Sequence, residues 1–190
     1  MTFEHVLGLD IAGNPFAWLT PQETVTLYAK DKVAWDIGSA ERIFLGGYNR
    51  LGEQSTISIK PIVALARSET MVSFADGSFP LGYRSNSLLF KRDRNTCAYC
   101  AGLFETKDLT RDHIVPVSAG GPTSWMNCVT CCKVCNQLKA NKPVSEFRPL
   151  VYLPYVPSRY EHFILSGRNI LADQHDYLSA RLPAYSRLKS

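Results

Sequence analysis

Four cysteines and one Asp-His step are the residues of this chain whose types and spacing could do metal and acid–base chemistry. Cys97-Ala-Tyr-Cys100 and Cys132-Lys-Val-Cys135 are two CxxC pairs with 31 residues between them. Each CxxC turn offers two thiolates, and two such pairs suit one tetrahedral zinc ion of the structural kind. Between the pairs runs Leu109-Thr-Arg-Asp-His-Ile-Val-Pro116, with Asp112 and His113 at its centre. Asn127 follows, and Asn136 stands directly after the last cysteine. Oxygen and nitrogen groups of this harder kind suit a second metal and a general base. Cys131 abuts Cys132, so either could open the second knuckle; Cys132 is preferred because Cys132xxCys135 repeats the spacing of the first pair. Cys128 reads as a packed thiol.

Local signals around these groups predict the elements that must hold them. Ser85 or Ser87 can cap a short helix through Ser87–Arg94, which leads into the first CxxC. Lys133 to about Lys139 reads as a helix ended by Asn141-Lys-Pro143. Upstream, Val6–Ile11 reads as a strand, followed by a Gly13-Asn-Pro15 turn and the apolar run Phe16–Leu19. Thr20-Pro-Gln-Glu23 is a capping box with proline at the first helical position, predicting a helix from Pro21 to about Asp31. Val33–Ile37, Arg42–Leu45 and Thr56–Leu65 are β-rich runs separated by glycines. Ser145-Glu-Phe147 reads as a turn and Pro149–Pro157 as extended chain. Apolar residues at helical spacing from Phe163 to Leu182 predict two tail helices joined near Gly167 and packing back on the core. His5, His162 and His175 are read as packed or solvated, not as ligands.

Composition sets the outer bounds. A chain of 190 residues, 45% apolar and 20% charged, can bury a real core and is not of the disordered class. No apolar run approaches the roughly 18 residues of a membrane span. The first ten residues lack a basic segment and a long apolar one, so no signal peptide is read there. Six cysteines in such a chain predict a cytoplasmic protein with reduced thiols, and metal in place of disulfides. Charge is uneven. Residues 1–79 carry 6 basic against 9 acidic residues, net −3, while residues 80–190 carry 15 against 8, net +7. The cysteine-bearing half therefore suits a polyanion such as DNA. Asp76-Gly-Ser-Phe-Pro80 is taken as the boundary, giving segments 1–79, 80–150 and 151–190.

Taken together, Cys97xxCys100, Asp112-His113-Ile-Val-Pro, Gly120-Gly121, Trp125-Met-Asn127, Cys132xxCys135-Asn136 and Lys139 resemble the HNH endonucleases with a ββα-metal core. The likeness covers about Leu88 to Pro143. It implies a ββα-metal core stapled by the four cysteines. With residues 1–79 read from their own runs as a small, mostly antiparallel β element with one helix, and the tail read as C-terminal helices, the fold class is α+β. Leu109–Val117 would be the first strand, Asn127–Thr130 the second and Lys133–Lys139 the helix. The resemblance implies His113 as general base, Asn127 as the residue holding its ring, and Asp112 and Asn136 as ligands of a catalytic ion. Many relatives carry histidine at the last of these positions; the amide of Asn136 shifts the expected ion towards Mg²⁺ or Mn²⁺. No organic cofactor is implied.

Adjacent residues on a regular strand face opposite sides, so Asp112 and His113 can serve one site only if the strand twists or ends there. Arg92, Arg94, Arg111, Lys133, Lys139 and Lys142 are the candidate phosphate contacts, with Lys91 beside them. A non-catalytic, zinc-stapled nucleic-acid-binding module is the other function class these residues allow. The intact Asp112, His113 and Asn127 favour the enzyme.

Overall fold

Thr20 opens the first helix as its residue type dictates. Its hydroxyl accepts from Glu23 N (3.2 Å) while the Glu23 carboxylate accepts from Thr20 N (2.7 Å), so two orphan donors of the first turn are satisfied reciprocally. In the computed structural model, which describes residues 3–66, 79–82 and 86–189, this helix is α1 (Pro21–Ala29). The chain divides into two compact units, Met1–Phe74 with Arg159–Ala184, and Ala75–Ser158 with Tyr185–Leu188.

The first unit holds a four-stranded sheet ordered β2 (Pro15–Leu19), β1 (Val6–Leu9), β6 (Ile62–Leu65), β3 (Val33–Ile37). The neighbours pair antiparallel except β1 with β6, which run parallel. The two central strands, Val-Leu-Gly-Leu and Ile-Val-Ala-Leu, are buried at every residue, which is why they read as continuous apolar runs without alternation. A separate hairpin pairs β4 (Arg42–Tyr48) with β5 (Gln54–Ile59). The run Thr56–Leu65 is therefore two strands in two sheets, broken at Pro61, which has no N–H for a ladder. Its carbonyl instead accepts from Leu7 N at 2.8 Å and from Gln174 Nε2 at 2.8 Å. The two tail helices, α4 (Arg159–Ser166) and α5 (Ala172–Ser179), flank Gly167 as expected and cluster with this first unit. Gln174, fully buried, also donates to His5 O (2.9 Å), tying α5 to the first strand's approach.

The second unit contains α2 (Ser87–Arg92), an antiparallel pair β7 (Leu109–His113) and β8 (Cys128–Cys132), and α3 (Lys133–Lys139). The ladder pairs Leu109 with Cys132 and, at its far end, His113 with Cys128. Asn86, not Ser87, occupies the N-cap of α2 and makes no side-chain cap bond; Ser85 and residues 76–78 of the expected boundary lie outside the described residues. The first strand ends at His113, four residues earlier than Val117, because the following segment takes its bonds from Asn127: Ile114 N donates to its carbonyl at 2.8 Å and Val115 N to its side chain at 2.9 Å.

Two apolar clusters brace this ββα unit. Leu81, Leu89, Phe90, Leu109, Trp125 and Cys128 form one. Cys97, Tyr99, Cys131, Cys132 and Cys135 form the other, with Phe104, Val144, Phe147 and Leu150 against it.

Candidate active site and metal centre

The cysteine site is built from two turns that present sulfur for the same local reason. In the first, Cys97 N donates to Gly102 O (2.9 Å) and Ala101 N to Cys97 O (3.0 Å), with Ala101 at φ 58, so the chain reverses between the two sulfurs. In the second, Cys132 is the N-cap of α3 and its Sγ accepts from Cys135 N at 3.4 Å. Ala98 N donates to Thr130 O (2.8 Å), which hangs the first turn on β8 beside the second. The ligand sulfurs of Cys97, Cys100, Cys132 and Cys135 all lie within 4.8 Å of one another. A tetrahedral ion with Zn–S bonds near 2.3 Å needs sulfurs about 3.8 Å apart, so the cluster fits a structural zinc. Burial opposes ionisation of Cys97, but backbone donors at Cys132, Cys100 and Tyr99 prevail and bring its thiol down to about 7. Cys131 packs beside the quartet, but its thiol donates to the Cys132 carbonyl (3.3 Å) and it is not among the four clustered sulfurs, while Cys128 lies in the other apolar cluster.

Asp112 and His113 are the last two residues of β7, and the strand ends at the point where both can face one site. A cleft of about 200 Å³ is lined by Asp112, His113 and Asn136, with Arg111, Pro116 and Lys139 among the others. Asn136 is half-buried there, and its side-chain amide has no hydrogen-bond partner among the described residues. His113 Nε2 lies 3.0 Å from Thr123 Oγ1, while Nδ1 has no partner among the described residues. Burial, with help from the Arg111 cation, lowers the His113 pKa below its ordinary value, so the ring is neutral at neutral pH.

Asp112 is 5% exposed, and each of its oxygens is engaged. Tyr99 donates its hydroxyl to Oδ2 at 2.5 Å, and Lys139 Nζ lies 3.0 Å from Oδ1 while also donating to His113 O at 2.8 Å. Burial, then the Asp112 carboxylate, keeps the Tyr99 proton in place well above the usual phenol range, so the hydroxyl stays a donor. A carboxylate has about four lone-pair sites, and these two bonds leave room for a cation.

Three expected roles change. Asn127 does not touch the His113 ring. Its Oδ1 accepts from Val115 N (2.9 Å), and its Nδ2 donates to Val115 O (3.1 Å) and Pro122 O (2.9 Å), so it pins the loop beside the ring, and Thr123 meets the ring itself. Arg92 is no phosphate contact: it is fully buried, donating to Trp125 O (2.7 Å), Tyr155 O (3.0 Å) and Cys128 O (2.9 Å) and pairing with Asp93. Lys139, 1% exposed, is likewise committed to Asp112. Arg94 gives its guanidinium to the Arg187 carbonyl, and Arg111 donates to Gly82 O at 2.6 Å. Lys133 and Lys142 are exposed.

The Gly120-Gly121 pair has a steric cause. Gly120 sits at φ 81, and a Cβ on Gly121 would fall 1.8 Å from the Val115 carbonyl oxygen. Sequence reasoning passed over Thr123 and Tyr99. Tyr99 carried a signal, since a residue enclosed by two ligand cysteines is held against the metal turn. Lys139 lies three residues after Asn136 and so shares its helix face, which pointed inward to the site and not out to solvent.

Comparison with curated proteins and with solved structures finds no match. Residues 97–149 match the family model of the HNH endonucleases. That stretch spans both cysteine pairs, the β7–β8 ladder and α3, so the likeness to the HNH endonucleases lies in the same segment whose four cysteines are placed to bind a metal ion.

Proposed function

We propose that this segment is a metal-dependent endonuclease that hydrolyses phosphodiester bonds in DNA. The observation that carries the reading is one cleft lined by Asp112, His113 and Asn136, whose His113 Nδ1 and Asn136 amide have no hydrogen-bond partner among the described residues. His113, neutral in its half-buried setting, takes a proton from the attacking water at Nδ1. Thr123 at the opposite nitrogen fixes the direction in which that lone pair points. Asp112 and Asn136 supply a carboxylate and an amide oxygen, a donor pair that suits Mg²⁺ or Mn²⁺ retaining most of its water. Such an ion, when bound, neutralises charge developing on the phosphate and the leaving oxygen. Lys133 and Lys142 offer exposed positive charge to the DNA backbone, and Arg111 borders the cleft. The thiol site suits a reducing cytoplasm.

The test is incubation of purified protein with supercoiled plasmid in Mg²⁺, Mn²⁺ or EDTA. Nicked or linear product with an ion, and none in EDTA, is expected. A second reading, a zinc-stapled nucleic-acid-binding module without catalysis, draws support from the burial of Asp112 against Lys139. It takes over if the protein binds nucleic acid but cuts neither DNA nor RNA with any divalent ion.

A further inference from the structure

The two metal-related sites of the second unit are joined by one side chain. Tyr99 is enclosed by the ligand cysteines Cys97 and Cys100, and its hydroxyl reaches out of that turn to Asp112 Oδ2 at 2.5 Å. The ring cannot drift from this position. It is 5% exposed and meets Phe147 edge-on, with centroids 5.2 Å apart at 74°. On the other side of the carboxylate, Lys139 holds Oδ1 (3.0 Å) and the His113 carbonyl (2.8 Å). Asp112 is thus gripped at both oxygens by groups from two different elements, one on the first cysteine turn and one at the end of α3.

We propose that Tyr99 is a positioning residue, through which the cysteine-bound ion sets the orientation of the Asp112 carboxylate and so the affinity of the cleft for its own divalent ion. This rests on Asp112 being a ligand, as read above. A carboxylate held at one oxygen only can swing about its terminal torsion, which has broad wells. A neutral hydroxyl at the second oxygen removes that freedom without cancelling charge. Lys139 by itself both orients and neutralises, which works against cation binding. The tyrosine therefore supplies orientation at no electrostatic expense to the ion. Partners of this kind, bonded to a ligand and not to the metal, typically carry 10- to 100-fold in metal affinity.

The experiment titrates Mn²⁺ into the zinc-loaded full chain by calorimetry, for the parent and for Tyr99→Phe, with zinc content and melting temperature measured on both. Phenylalanine keeps the ring packing and removes only the hydroxyl. The expected result is an Mn²⁺ dissociation constant raised about 10- to 100-fold with zinc content unchanged. In an Asp112→Asn background the same substitution should change Mn²⁺ affinity little, because the coupling acts through that carboxylate. Equal Mn²⁺ affinity in parent and Tyr99→Phe overturns the positioning role while leaving the ligand assignment standing. A parent that binds no Mn²⁺ overturns the ligand assignment itself. Should Tyr99→Phe fail to fold, the parent still decides the matter: its Tyr99 hydroxyl proton should exchange slowly and shift its resonance when Mg²⁺ is added. A resonance that Mg²⁺ leaves unmoved overturns the proposal.

Discussion

The guanidinium of Arg92 grips the carboxylate of its neighbour Asp93 through two bonds, Nε to Oδ1 at 2.8 Å and Nη2 to Oδ2 at 3.0 Å, with both side chains fully buried. The remaining capacity of each is used: Asp93 accepts from Thr130 N (2.9 Å), and Arg92 reaches three carbonyls while lying over the rings of Trp125 and Tyr155. The pair thereby fastens α2 to β8 and to the chain beyond α3.

Removing one partner of such a pair strands the other charge. Arg92→Ala should destabilise the second unit by about 3–5 kcal/mol, read as a lowered melting temperature. Lys142→Ala should leave the melting temperature alone, weaken DNA binding and reduce its salt dependence by about one phosphate contact. An Arg92→Ala protein that melts like the parent but binds DNA poorly would return Arg92 to the phosphate surface.

Cys97→Ser or Cys135→Ser removes one sulfur of the quartet, whose ion contributes folding free energy on the order of 10 kcal/mol in small zinc peptides. Insoluble or unfolded protein is expected, whereas Cys128→Ser should fold and keep its zinc. Elemental analysis that finds folded, active protein without zinc would sink the assignment.

His113→Ala should lower cleavage by roughly 10²-fold or more, the usual scale for a general base, with DNA affinity and melting temperature close to those of the parent. Asn127→Ala should behave differently. It frees the backbone at Val115 and Pro122, so cleavage and melting temperature should fall together. If His113→Ala cuts as fast as the parent, another group is the base.

In the first unit, burial pushes the His162 pKa down to about 4 from the ordinary 6.5. Its folded form resists the proton that the unfolded chain accepts, so the stability it allows is complete above about 6.5 and is lost as pH falls from there towards 4. The loss is about 2–3 kcal/mol. Melting curves at pH 7 and pH 5 for the parent and His162→Phe check this: the variant should lose less on acidification.

What the sequence disclosed, and what it hid, follows from the range of the forces involved. The Thr20 capping box, the α3 boundaries and the cysteine spacing are decided within a few residues, and the chain reads correctly there. Arg92 and Lys139 looked like solvent-facing charge because their partners stand far off along the chain, at Trp125, Tyr155 and Asp112. Asn127, expected to open the second strand and hold the His113 ring, lies just before that strand and bonds the backbone of Val115 and Pro122, since the choice between ring and backbone depends on where Thr123 ends up. The parallel pairing of β1 with β6 was equally hidden, because Leu7 and Ile62 meet only across fifty-odd intervening residues.

The hold of Gln174 on His5 and Pro61 has a consequence for the order of events at the ribosome. The first unit is discontinuous: its opening strands emerge early, but the helix that satisfies their carbonyls is made only after residues 75–158 of the second unit. Most of the later-starting unit, all but its Tyr185–Leu188 strap, can thus close first, while the earlier one waits for its clasp of tail helices. Chains ending at residue 158 and stalled through a linker long enough to fill the exit tunnel should already hold zinc and resist protease across 97–149, while residues up to 66 remain readily cut. Equal protection of both segments in stalled chains would show that the clasp is dispensable.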